Sequence, residues 1–182
     1  MNSSSSRKSL MVQVLISIGL AMIVIIGFTW IRLTQSDATA AQAQSLEQQS
    51  SFLTHDISVI DHHREPYVGD NSNTVQALYA LPLGARIDRV EIHDTDVVVM
   101  IVDGEATNER ENVLYSAIAF MAAIDNARSV TYVTPGRSYY VERPAIEARF
   151  GTPLSDLLDT AEAWQGVRGL IPLEAGTLVA DS

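Results

Sequence analysis

The chain has 182 residues, 12 basic and 22 acidic side chains and no cysteine, with a formal net charge of −10. This is room for one ordinary globular domain with accessories. The missing cysteines exclude disulfide stabilisation and a lipidated-cysteine anchor, and the acidity argues against nucleic acid as a partner.

Leu10 to Ile31 (LMVQVLISIGLAMIVIIGFTWI) carries no charge. As a helix it spans roughly 33 Å, enough for the ~30 Å hydrocarbon core. Arg7 and Lys8 precede it, and Trp30 sits where an interfacial ring is expected. Residues 10–32 therefore read as a single transmembrane signal anchor, with the lipid bilayer as its partner. Residues 1–9 form a cytoplasmic tail, and the remainder is extracytoplasmic at the cell membrane. Ala38-Thr39-Ala40 and Ala41-Gln42-Ala43 offer cleavage sites for a secretory leader. The apolar block is longer than the ~7–15 residues of a leader, which favours the uncleaved anchor. Removing Arg7, Lys8 and Arg32 leaves nine basic residues against 22 acidic ones, so the exported portion is near −13.

Residues 33–64 are rich in Gln, Ser and Ala, and read as a stalk or linker ending in HDISVIDHHRE. His55, His62 and His63, beside Asp56, Asp61 and Glu65, have metal-ligand chemistry. They lack a tight two-ligand pair such as H-x-x-x-H. Solvated residues are the simpler reading; a metal-dependent cell-envelope hydrolase using these histidines is the alternative. No metal or other cofactor is assigned.

A folded domain is expected over residues 65–164. In EPYVGDNSNT (65–74) Pro66 and Gly69 make a turn, and the Asp70-Asn71-Ser72 run supplies helix caps. A calcium loop starting at Asp70 would need Gly where Val75 stands and Glu where Leu81 stands, which excludes it. Val75, Leu78, Tyr79 and Leu81 give a helical stripe that Pro82 and Gly84 end. Residues 86–92 read as a half-buried strand. Val97–Val102 (VVVMIV) reads as a strand buried on both faces, paired with its neighbour as an antiparallel hairpin. Asp94 and Asp96 fall in the turn between them and His93 at a strand end, where solvation is the expected state.

Asp103-Gly104 is a turn. The main helix is expected from Asn108 to about Asp125, with Val113, Leu114, Ala117, Ile118, Met121 and Ile124 inward and Asn126 as a left-handed stop. Val130–Thr134 and Ser138–Val141 are strands about Pro135-Gly136. Pro144 opens a helix that Gly151 ends, and Thr152-Pro153 caps another running to about Trp164. Residues 165–182 lack clear periodicity and read as an irregular tail. The fold class is α+β: a small, mostly antiparallel sheet with helices packed mainly on one face, preceded by the transmembrane helix.

Tyr67-Val68-Gly69-Asp70-Asn71-Ser72 ahead of an apolar helix ending in Leu81-Pro82 resembles the opening of domain of unknown function, family 4825. Ile124-Asp125-Asn126, an aromatic strand, Tyr140-Val141 and Glu147-Ala148-Arg149-Phe150-Gly151 extend the likeness over roughly residues 60–160. The family occurs outside Gram-positive membranes, in small anchored proteins and attached to sensor peptidases of the BlaR type. The resemblance thus implies a sensing or interaction module. Its activity is unknown, so no catalytic residue carries over. Where the family commonly has a lysine-rich stretch, this chain has Asp61-His62-His63-Arg64-Glu65. The layout is also similar to the spore-germination GerMN domain.

Enzyme signatures are missing: there is no G-x-S-x-G, H-E-x-x-H, P-loop or dinucleotide glycine pattern. Ser5-Ser6-Arg7-Lys8 matches S-x-x-K only in the expected cytoplasmic tail. Tyr132, Arg137, Tyr139, Tyr140 and Arg143 are the candidate binding residues, since Tyr and Arg anchor many interfaces. Tyr139 and Tyr140 must face opposite sides of their strand, so one of them packs inward. The expected function is a non-catalytic, membrane-anchored binding or regulatory module with an envelope or membrane protein as partner.

Overall fold

The computed structural model describes residues 45, 47–69, 71–102 and 107–181. The chain divides into Met1–Ser45 and Leu46–Ser182, and the architecture below is that of the second unit. The expected transmembrane segment 10–32, the cap at Asp70 and the turn at Asp103-Gly104 lie outside the described residues. No helix among the described residues is long and apolar enough to cross a membrane.

The fold is α+β, with a five-stranded sheet ordered β1-β2-β3-β4-β5: Ile87–His93, Asp96–Ile101, Ser129–Thr134, Arg137–Glu142 and Ala180–Asp181. Three of its pairings are antiparallel. The β2–β3 pairing is parallel, with Val97 opposite Val130 and Val99 opposite Tyr132. Parallel neighbours need a crossover, and helix α2 (Glu109–Ala123) supplies it. Helix α1 (Asn71–Tyr79) precedes the sheet, and α3 (Arg143–Phe150) and α4 (Ala161–Leu178) follow β4.

Helix α2 is the centre of the core. Every residue from Asn112 to Ala123 is buried, not only the expected stripe. It packs against β3 and β4 on one side and against α1, α4 and the 3-10 segments Ile57–His63 and Leu154–Leu158 elsewhere. A helix clothed all round needs no polar face, and its alanines permit close approach. Its end differs from the expectation. Ile124 is extended and bridges Glu65, while Asn126 is not left-handed; its amide donates to Pro66 O instead.

The strand VVVMIV was expected to be buried on both faces but alternates: Val97, Val99 and Ile101 are buried, whereas Asp96, Val98 and Met100 are half-exposed. Among the described residues, the helical layer lies on the Val97 side. The expected stop at Gly151 is present, in the left-handed conformation at φ 70°.

Two further expectations are corrected. Residues 152–164 form no single helix: a 3-10 turn over Leu154–Leu158 precedes α4, whose N-cap Thr160 accepts a hydrogen bond from Ala163 N at 3.1 Å. The tail is not irregular either. Trp164, Val167, Ile171 and Ala175 form a buried helical stripe. Glycines at 166, 169 and 176 and Pro172 lower the local propensity, and packing against α2 overrides it. The last part of the expected linker is also folded: Phe52, His55 and Ile60 are buried.

Candidate interaction surface

The expected binding residues do not share one surface. Tyr132 and Tyr139 sit opposite each other on the inward face, 1 % and 3 % exposed. Burial raises the pKa of both phenols, and the Tyr139 hydroxyl donates to Glu109 Oε1 at 2.9 Å. Arg143 turns inward. Its Nε donates to Ala127 O at 2.7 Å, and its Nη2 donates to Ile124 O at 2.9 Å and to Met121 O. Through Met121 and Ile124 it satisfies carbonyls at the C-terminal end of α2, which a helix leaves without partners, and through Ala127 it ties down the loop that follows. Of the five, Tyr140 is half-exposed and Arg137 exposed at the β3–β4 turn.

Tyr140 belongs instead to a surface defined by register. The pairings align Arg89, Met100, Val133 and Ser138 in one row, and Glu91, Val98, Thr131, Tyr140 and Ala180 in the next. His93, Asp96, Ser129 and Glu142 make the third. Side chains alternate along strands, so all three rows lie opposite the Val97–Tyr132 face. Val98, Met100, Thr131, Val133, Ser138 and Tyr140 are half-exposed. The middle of the face is apolar and its rim is charged. Ser129 Oγ donates to Asp96 Oδ1 at 2.7 Å and Tyr140 donates to Glu142, which raises the phenol's pKa. Asp94, the turn residue in the left-handed region at φ 59°, and His93 stand exposed at one corner.

The three histidines considered as metal ligands disperse. His62 is exposed, and His63 Nδ1 lies 3.0 Å from Asn73 Oδ1. His55 is 1 % exposed with both ring nitrogens occupied, Nδ1 by Tyr115 Oη at 3.0 Å and Nε2 by Ala80 O at 2.8 Å. Trp164 Nε1 donates to the same phenol oxygen at 2.9 Å, and so does Arg168 at 3.3 Å. Among the described residues no group of three or more His, Asp or Glu side chains is placed to hold a metal ion. This polar knot joins Phe52–His55 to α2 and α4. Residues 60 and 113 positions apart make it, a separation that sequence cannot show.

The stretches that suggested the family meet in space. Glu65 N donates to Ala123 O at 2.8 Å, Asp125 N to Glu65 O at 3.1 Å, and Val68 N to Asn126 Oδ1 at 2.7 Å. Thr74 Oγ1 donates to Val68 O at 2.9 Å. Glu147 lies 3.3 Å from Arg143 Nη1, which brings the third stretch to the same helix end. The signature is a clasp on α2. A shallow depression of about 240 Å³ beside it is lined by Arg64, Pro66, Asp125 and Ser155 among others. Arg64 there is already engaged by Asp61 and Asp159 at 3.2 Å each and by Leu158 O at 2.6 Å.

Residues 60–143 match the family model described as Domain of unknown function (DUF4825). That span takes in the clasp contacts of Glu65, Val68, Thr74 and Ala123–Asn126 and strands β1 to β4, and it ends at Arg143, the first residue of α3. No curated protein and no solved structure matches the chain.

Proposed function

We propose that this DUF4825-containing chain is a membrane-anchored extracytoplasmic module that binds and does not catalyse. Residues 10–32 hold it in the bilayer with its N-terminus cytoplasmic, and an envelope or membrane protein docks on the outer sheet face. The observation carrying this reading is the half-exposed apolar centre of Val98, Met100, Thr131, Val133 and Tyr140, rimmed by Arg89, Glu91 and Glu142. An apolar centre within a charged rim is the anatomy of a protein interface. Catalysis draws no comparable support, because His55 is consumed by structural hydrogen bonds and His62 and His63 join no ligand set among the described residues.

The test is mild chemical crosslinking of the full chain in its own membranes, followed by purification and mass spectrometry. A defined partner is expected with the wild type, with recovery at least tenfold lower for Val98→Arg/Thr131→Arg at an unchanged circular dichroism spectrum. Equal recovery with the variant would remove the sheet face from the account.

A further inference from the structure

Residues Ser51–His55 join the folded body to everything N-terminal of it, and few bonds hold them. Phe52 is buried, its ring 6.5 Å from that of Tyr115, and its amide donates to Asn112 Oδ1 at 2.8 Å. His55 N donates to Ser51 O at 2.9 Å, and Arg168 donates to His55 O. The His55 ring adds two bonds, to Tyr115 Oη and to Ala80 O.

The protons in this knot can be placed one by one. Trp164 Nε1 and Arg168 are donors only, so the Tyr115 oxygen accepts from both. The phenol's own proton then goes to His55 Nδ1, which must be bare. The ring proton sits on Nε2 and is donated to Ala80 O. The Trp164 indole, the Arg168 Nη2, the Tyr115 hydroxyl and the His55 Nε2 all find acceptors in this arrangement only while the ring is neutral. A second ring proton would point at a hydroxyl whose two acceptor positions are filled. It would also create a cation in a site 1 % exposed, beside a guanidinium 5.7 Å above the Tyr115 ring. The groups facing the ring are Tyr115 from α2, Arg168 from α4 and the Ala80 carbonyl following α1. From its own segment comes Asp56, an exposed carboxylate occupied by Ser58 N and Oγ.

We propose that His55 is an acid-sensitive latch: the protonated ring cannot be held in this knot, so acidification releases Ser51–His55 while α2 and the sheet stay folded. Burial, with Arg168 adding to it, holds the ring's pKa below its ordinary value against the opposing pulls of Ala80 and Asp56. The latched state therefore binds fewer protons than the released one. Release is favoured as pH falls below about 6.5, the value of a free histidine. If the latched ring takes up no proton, the opening equilibrium rises about thirtyfold between pH 8 and pH 5. Ile60, 0 % exposed, anchors the following 3-10 segment and limits the release to the residues before it. The latch does not depend on what the sheet face binds.

Hydrogen exchange of the full chain in detergent micelles, corrected for intrinsic rates, tests this between pH 8 and pH 5. The Phe52 and His55 amides should open about thirtyfold more at pH 5, with β2 and β3 unchanged. His55→Gln should abolish the pH response, and His62→Gln/His63→Gln should retain it. A flat wild-type profile, a rise shared equally by β2 and β3, or an undiminished response in His55→Gln would overturn the latch. Should His55→Gln not fold, the wild-type contrast between this segment and the strands decides alone.

Discussion

Replacing Tyr115 by Phe removes one oxygen atom and three hydrogen bonds. The side chain is 0 % exposed, and its hydroxyl serves His55, Trp164 and Arg168. The substitution leaves the Trp164 indole N–H, on a side chain 1 % exposed, without an acceptor and His55 Nδ1 without a donor. Each buried group so stranded costs about 1–3 kcal/mol, and the burial cost of the lost hydroxyl itself is recovered in part. The expected loss is about 2–4 kcal/mol, a large share of the ~5–15 kcal/mol that stabilises a typical domain. Tyr140→Phe is the matched control, because it deletes the same atom from a half-exposed side chain whose hydroxyl donates to Glu142, and should cost under about 1 kcal/mol. Equilibrium urea unfolding by circular dichroism and by Trp164 fluorescence, in a Trp30→Phe background, measures both. A Tyr115→Phe loss below about 1 kcal/mol with an unchanged urea slope would refute the placement of protons in the knot.

Arg143→Met should destabilise by about 2–4 kcal/mol, because it strands the carbonyls of Met121, Ile124 and Ala127. Arg143→Lys should recover only part, since an ammonium cannot reproduce the planar fork; full recovery by Lys in urea melts would argue against the cap. Gly84→Ala places a Cβ 2.1 Å from Tyr79 O, so the backbone must shift, at a cost of about 1–3 kcal/mol. A melting temperature within one or two degrees of wild type, read by calorimetry, would contradict that contact.

What could be read from the chain was what depends on near neighbours. The β1–β2 hairpin, the α2 helix and the Gly151 stop each follow from residues within a few positions of one another. Helix α4 was hidden because Gly166, Gly169, Pro172 and Gly176 spoil local propensity. Its signal was the Trp164, Val167, Ile171, Ala175 spacing, which gains meaning once α2 is present to bury it. His55 resembled a metal ligand because a polar residue does not announce its partners, and those partners lie 25 to 113 positions away. Tyr132 and Tyr139 looked like surface anchors for the same reason. Strand alternation separates Tyr139 from Tyr140, but only the pairing with β3 decides which one faces α2. The outer sheet face did leave a trace: the unbroken VVVMIV run. An apolar run in a strand covered on one side means that its other face is also apolar, which is how Val98 and Met100 come to lie at the centre of the proposed surface.

Site-specific photocrosslinking in intact membranes addresses the central claim most directly. A photoreactive amino acid placed at Val98 or Thr131 in the full chain reports on the sheet face, and one at Leu173, 73 % exposed on α4, reports on accessible surface elsewhere. The account predicts one discrete crosslinked product from Val98 and Thr131, absent from Leu173 and abolished by Val133→Arg. Products of equal yield from all three positions, or none from the sheet face, would contradict it.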